Sequence, residues 1–379
     1  MFKVLIAGDY CPQERVADML LKQDFSFFDN IKEVVHGVDY SIVNLECPIV
    51  VGDVKPITKC GRALRTTADA VKSLKYAGFD CATLANNHFR DFGDEGCITT
   101  INELQKHNID FVGGGCNLEE AQKILYKQIN GKTLAIVNFC ETEFSISTDS
   151  RAGSAPLDAV DNYNQITQAR SNADYVLVIV HGGHEHYQLP SPRMQKLYRY
   201  FITIGADAVV NHHQHCYSGY EYFNNKPIIY GLGNLCFDKK IQRNTIWNEG
   251  YCAILQFNTS SVEITPIPYK QCNEAATVEI LQGADNPQFI AHINKLNKII
   301  SDNDRLKAEF EKWCISRSPL IKTIFNSYHN RYLNGAANRG WIGRPASLRE
   351  QILLFNYLVC ESHRDITIGV LFKNLIKDE

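Results

Sequence analysis

Residues 175–185 read Tyr-Val-Leu-Val-Ile-Val-His-Gly-Gly-His-Glu, a short apolar run that ends in a cluster of polar groups. The run predicts a β-strand, and in open α/β sheets ligands collect just outside the carboxyl ends of strands. The same design occurs four more times. Gly8-Asp9 follows the apolar run 3–7, Asn44-Leu45-Glu46 closes the run 40–45, Asn86-Asn87-His88 follows 81–84, and His212-His213-Gln214-His215 follows 208–211. Singly, such a residue is more often a cap or a hydrogen-bonded loop group. Together they put two carboxylates, an amide and several imidazoles at the ends of five strands. That is the donor set a hard or borderline divalent cation takes without any thiolate. A carboxylate shared by two ions about 3.5–4 Å apart can hold a hydroxide between them and clamp the attacking and leaving oxygens of a phosphoryl transfer.

Outward from these clusters, apolar runs at 110–112, 133–139, 227–230 and 251–257 complete nine predicted strands, enough for two sheets. Helical patterns at 68–76, 96–106, 163–172 and 192–204 alternate with them, and this alternation defines an α/β layer structure. After about residue 270 the spacing turns helical. Phe289, Ile293, Leu296 and Ile300 recur at intervals of three and four, predicting one long amphipathic helix that continues to Trp313. A second pattern covers 348–376, and the polar stretch 328–347 between them reads as a loop or docking segment. The expected organisation is therefore a domain over 1–270 and a helical extension over 271–379, whose Trp313 and Trp341 are expected to pack in a core, a lid or partner surface being the alternative. Gly113-Gly114-Gly115 lacks the lysine of a nucleotide loop and reads as a tight strand exit.

Hydrophobic residues make up 45% of the 379 and charged residues 21%, the balance of a folded globular chain. A net charge of −3 supplies no basic field for a nucleic-acid backbone, so no nucleic-acid partner is expected. The start, MFKVLIAGDYCP, has too short an apolar stretch for a signal peptide, and no run reaches the roughly 20 residues of a spanning helix; the expected location is cytoplasmic. Thirteen cysteines without a C-x-x-C pair predict reduced, buried thiols, with Cys11 and Cys47 beside the ligand candidates.

In chain order, Gly8-Asp9, Asn44-Leu45-Glu46, Leu84-Ala85-Asn86-Asn87-His88 with Asp91 and Gly93, His181-Gly182-Gly183-His184-Glu185 with Pro192 and Gln195, Gly205-Ala206-Asp207, His212-His213-Gln214-His215, and the segment from Tyr230 through Gly233-Asn234 to Asp238 resemble the motif series of the CapA family. CapA proteins are named for poly-γ-glutamate capsule synthesis and are similar in fold to calcineurin-like metallophosphoesterases. The resemblance implies a four-layer α/β/β/α metallophosphoesterase-like sandwich with a helical C-terminal extension. It further implies Asp9 as the first-strand ligand, Glu46 as the bridging carboxylate, Asn87 as the amide ligand, His181 on the second metal, and His213 and His215 divided between the ions. One or two divalent cations of Mn, Mg, Zn or Fe are expected. His88 matches the histidine that gives a proton to, or holds, the leaving oxygen. Asp9-Tyr10-Cys11 stands where the superfamily usually has Asp-x-His, so the first metal loses an imidazole, as in CapA proteins. Many family members carry a membrane anchor, which is not expected here.

Substrate contacts are expected from Arg65, Asn86 and Glu185. Arg65 matches a family arginine suited to a two-pronged grip on an anion, and Glu185 is placed to orient His181. The chain alone leaves His212 open as a ligand in place of His213, and reads His184 and His186 as rim groups, Asp91 as a cap or partner of His88, and Asn234 and Asp238 as loop formers. The expected activity is hydrolysis of a phosphoester or polymer-linked anionic substrate by a metal-bound hydroxide, with His88 as acid. Cleavage of an amide such as a γ-glutamyl bond, and a non-catalytic accessory or polymer-binding role, are the competing expectations.

Overall fold

All nine predicted runs form strands in the structure, a computed structural model that describes residues 1–59, 61–318, 328, 330–343 and 346–359. The chain divides into two compact units, Met1–Lys307 and Ala308–Glu379. In the first, one sheet has the order β16 (Val278–Ile280), β15 (Val262–Gln271), β14 (Glu249–Phe257), β1 (Phe2–Tyr10), β2 (Tyr40–Leu45), β3 (Cys81–Thr83) and β4 (Asp110–Val112), and β13 (Asn234–Cys236) joins the far end of β1. Strands β1 to β4 are parallel, while β14 to β16 are antiparallel. A six-stranded sheet has the order β11 (Tyr220–Phe223), β12 (Lys226–Ile229), β10 (Ala208–His212), β9 (Tyr175–His181), β7 (Lys132–Cys140) and β6 (Leu125–Ile129), and β5 (Gly114–Gly115) pairs with β8 (Gly153–Ser154) apart from both.

Alternation along the strands sorts the layers. Leu5 and Ala7, with Val43 and Leu45, face a core closed by Val16 and Leu20, Ile31 and Val35, Val71 and Leu74, and Leu104. These come from helices Glu14–Leu21, Asp29–His36, Asp69–Ala77 and Gly93–Lys106, which cover that face. Phe2 lies on the opposite face of β1 and meets Tyr175 of β9 edge-on at 5.5 Å, so the two sheets stack. Helices Ala159–Asn172 and Pro192–Thr203 close the far side of the six-stranded sheet. Ser191 caps the latter by accepting from the Met194 amide, and Pro192 occupies its first position, where no amide donor is needed. The result is the four-layer α/β/β/α sandwich.

The helical tail differs from its sequence pattern. The predicted long helix is two, Asp285–Ile300 and Asn303–Ser316. Phe289, Ile293, Leu296 and Ile300 are buried, and Asn297 Oδ1 accepts from the Tyr220 amide, so the first helix belongs to the β-rich unit, past the composition change at residue 270. Residues 331–338, in the stretch expected to be a loop or docking segment, form a helix that Asn330 caps by accepting from the amides of Tyr332 and Leu333. The second predicted helix is seen as Leu348–Val359, and its expected continuation to 376 lies outside the described residues. Trp341 is 74% exposed rather than part of a core. No helix among the described residues is long and apolar enough to cross a membrane, and their eleven cysteines are all free thiols.

Candidate metal centre

The end of β1 shows how the sequence builds the site. Pairing with β2 runs Ile6 to Ile42 but Asp9 to Asn44, so β1 carries one extra residue there. Such a bulge re-aims the side chains beyond it. Only glycine fits at position 8, since a Cβ would stand 2.0 Å from the Gly233 carbonyl oxygen. The Asp9 amide donates to that same oxygen at 3.1 Å, and the Glu46 amide donates to the Tyr10 carbonyl at 3.0 Å. On the other sheet, His181 and His212 are paired across β9 and β10. Beyond β10, His213 (φ 93°) and His215 (φ 54°) adopt left-handed backbone that turns their rings back toward Asp9 and Glu46.

Two ligand groups result, both buried: Glu46 with His181 and His213, and Asp9 with Glu46 and His215. Within each group the donor atoms lie within 4.8 Å of one another, and Glu46 belongs to both. His213 Nδ1 and Asn87 Oδ1 each lie 3.1 Å from His181 Nε2. Glu46 Oε1 stands 3.5 Å from His215 Nε2 and 3.8 Å from His181 Nε2. His215 Nδ1 is 2.8 Å from Asn234 Oδ1, an acceptor, so Nδ1 carries the proton and Nε2 keeps its lone pair toward Glu46. Asn44, unremarked beyond its motif, donates Nδ2 to Asp9 Oδ1 at 2.7 Å.

The electrostatics suit a cation. Both Glu46 oxygens are buried without a hydrogen-bond partner among the described residues, an arrangement that is costly for a carboxylate left unpaired. Burial and the neighbouring Asp9 charge push the Glu46 carboxyl well up. Burial pulls the His215 imidazole down to about 3, and burial with the facing His213 pulls His181 down as well, which leaves both rings neutral and able to ligate. This donor set fits a divalent cation, with Glu46 as the shared group. His212 is turned elsewhere, its Nε2 2.9 Å from the Ala7 carbonyl oxygen, while His213 and His215 are the ones that fall in the donor groups.

His88 Nδ1 sits 2.6 Å from Asp91 Oδ2, and Asp91 Oδ1 accepts from the buried Lys59 ammonium at 2.5 Å. His88, Asn87 and His215 open onto a cavity of about 390 Å³. Of the expected substrate contacts, Asn86 is corrected to a buried brace, since its Nδ2 donates to the Leu45 carbonyl and its Oδ1 accepts from the His88 amide. Arg65 is corrected as well: it lines a separate hollow with Pro12 and Ala17. Arg62 and Lys59, from the same loop, reach the cavity in its place. Glu185 borders the cavity, but His181 Nδ1 faces the Asn44 amide at 3.3 Å rather than Glu185. Glu143, Lys239 and Trp247 also line it, and Trp247 packs on His215 at 4.7 Å. Cys11 turns into an apolar cluster with Cys47, Leu64, Phe237 and Trp247, so it adds no donor.

The two-sheet sandwich thus gathers acids and imidazoles at its strand ends around Glu46, which belongs to both donor groups. The chain belongs to the bacterial capsule synthesis protein PGA_cap family, whose pattern matches residues 3–239. It is 32% identical over 243 residues to the capsule biosynthesis protein CapA of Bacillus anthracis, a match covering 62% of this chain and 59% of that one. With the PGA biosynthesis protein CapA of Bacillus subtilis it shares 31% identity over 258 residues, 66% of this chain and 67% of the relative. A probable polyglutamine synthesis accessory protein of Mycobacterium tuberculosis is 27% identical over 219 residues, 53% of this chain and 56% of that one. This chain thus spans about three fifths of the length of the first of these relatives.

Proposed function

We propose that this chain is a metal-dependent hydrolase that cleaves a phosphoester in the synthesis or processing of an anionic capsular polymer such as poly-γ-glutamate. The observation that carries the reading is Glu46, buried with both oxygens unpartnered between two groups of neutral imidazole, amide and carboxylate donors. Asp9, Glu46, Asn87, His181, His213 and His215 would hold the ions, which when bound supply Lewis acidity and charge neutralisation for attack by water on phosphorus. Hydrolysis adds the hydroxyl of water to phosphorus and requires a proton on the leaving oxygen. Asp91 holds His88 by Nδ1, so Nε2 is the nitrogen left to give that proton. Lys59 neutralises Asp91 and ties the loop that carries it to His88. Arg62 and Lys239 supply positive charge at the cavity wall for an anionic substrate.

The test is metal content by mass spectrometry, followed by turnover of bis-p-nitrophenyl phosphate and of γ-glutamyl peptides with added Mn, Mg, Zn or Fe, and Glu46→Gln as control. Phosphoester turnover that needs metal and Glu46 supports the reading; exclusive peptide cleavage replaces it with amide hydrolysis. An accessory, polymer-binding role is favoured by Cys11, which leaves the Asp9 group a single imidazole, and by the name of the mycobacterial relative. Stoichiometric metal with neither turnover establishes that role and ends the enzymatic one.

A further inference from the structure

The charges around the cavity are sorted by sheet. Glu143 and Glu185 come from the segments that leave β7 and β9, adjacent strands of the six-stranded sheet. Arg62 follows β2 and Lys239 follows β13, the two strands that flank the end of β1 in the other sheet. The ligand groups lie between, and Glu143 Oε1 is 3.5 Å from Asn87 Nδ2 at the His181 side. Two further acids line the cavity on the cationic side, but they are already neutralised: Asp238 by Arg15 and Arg243, and Glu14 by Arg243. Glu143 and Glu185, by contrast, meet no Lys or Arg among the described residues, and Arg62 and Lys239 meet no carboxylate there.

We propose that the cavity takes a substrate that carries both an ammonium group and an anionic group beside the reacting bond. The ammonium meets Glu143 and Glu185, and the anion meets Arg62 and Lys239. This inference rests on the metal-centre reading and adds the charge pattern of the substrate. A like-charged substrate of either sign places one end against a repelling wall. A substrate with both signs, such as the amino-bearing end of an acidic chain, satisfies both walls.

The test uses the full chain loaded with manganese and isothermal titration with four probes: inorganic phosphate, O-phosphoserine, N-acetyl-O-phosphoserine and O-phosphoethanolamine. O-phosphoserine is expected to bind about tenfold more tightly than the acetylated probe, which lacks the ammonium, and than O-phosphoethanolamine, which lacks the carboxylate. In the double variant Glu143→Gln/Glu185→Gln the first ratio falls to about one, and in Arg62→Gln/Lys239→Gln the second does. Equal affinities for the three organic probes, with phosphate still bound, overturn the inference and leave the metal centre standing. Failure of the loaded protein to bind phosphate overturns both.

Discussion

Asn44 Nδ2 stands 2.7 Å from Asp9 Oδ1 and holds that carboxylate by one oxygen, so that the other, Oδ2, lies 3.6 Å from His215 Nδ1 and accepts from the His213 amide at 3.2 Å. Partners of this kind orient a ligand, and losing one commonly weakens metal binding about 10–100-fold. Asn44→Ala is therefore expected to lower affinity for the ion of the Asp9 group by that factor, measured by competition with a chelator. Unchanged affinity would show that Asn44 does not set the orientation of Asp9.

Glu46→Gln is expected to act in opposite directions with and without metal. In the metal-free protein Glu46 is a buried acid whose folded-state pKa is raised, so the stability it contributes falls as pH rises above the ordinary carboxyl value of 4.5. Removing the charge raises Tm at pH 7, by about 1.5 °C per kcal/mol for a unit of this size. With metal added, the wild type gains stability and the variant does not. Thermal scans with and without manganese read the crossing, and parallel shifts would refute a bridging role.

His212 and His213 are adjacent yet separable. His213→Asn is expected to abolish binding at the His181 group. His212→Asn leaves binding in place but costs about 1–3 kcal/mol, because the buried Ala7 carbonyl loses its partner. Metal titration with denaturant unfolding distinguishes them, and the reverse result would shift the His-x-His phase by one.

Acid should separate His215→Asn from the wild type in the metal-free state. The His215 folded-state value of about 3 lies below the ordinary imidazole value of 6.5, so the unfolded chain takes up a proton there first and the imidazole costs stability as pH falls between those limits. The stability difference, variant minus wild type, grows from pH 6.5 downward. A difference independent of pH would show that the ring is solvated.

The convergence of the candidate donors was legible because clusters at strand ends keep their placement on folding. Five of the nine apolar runs place Asp9, Glu46, Asn87 and the histidines at strand ends, and the structure brings them within reach of one another. The cavity wall was less legible. Arg65 and Arg62 sit three apart in a segment without periodicity, so nothing local decides which of them faces inward; the Leu64 amide bonding to buried Asp91 does. Asn86 looked like a free amide because its acceptor, the Leu45 carbonyl, is 41 residues away. The break between the two C-terminal helices was hidden because the apolar spacing runs through it, although Ser301 and Asp302 interrupt the helix.

His213 and His215 occupy left-handed backbone with one residue between them, a conformation that costs non-glycine residues on the order of 1–3 kcal/mol each. The fold offsets this with the bonds that tether His213 to Asp9 and His215 to Asn234. The segment is in effect a cocked spring, with its nitrogens aimed before any ion arrives. A cation captured there would be paced by the shedding of its own hydration shell rather than by ordering of the chain.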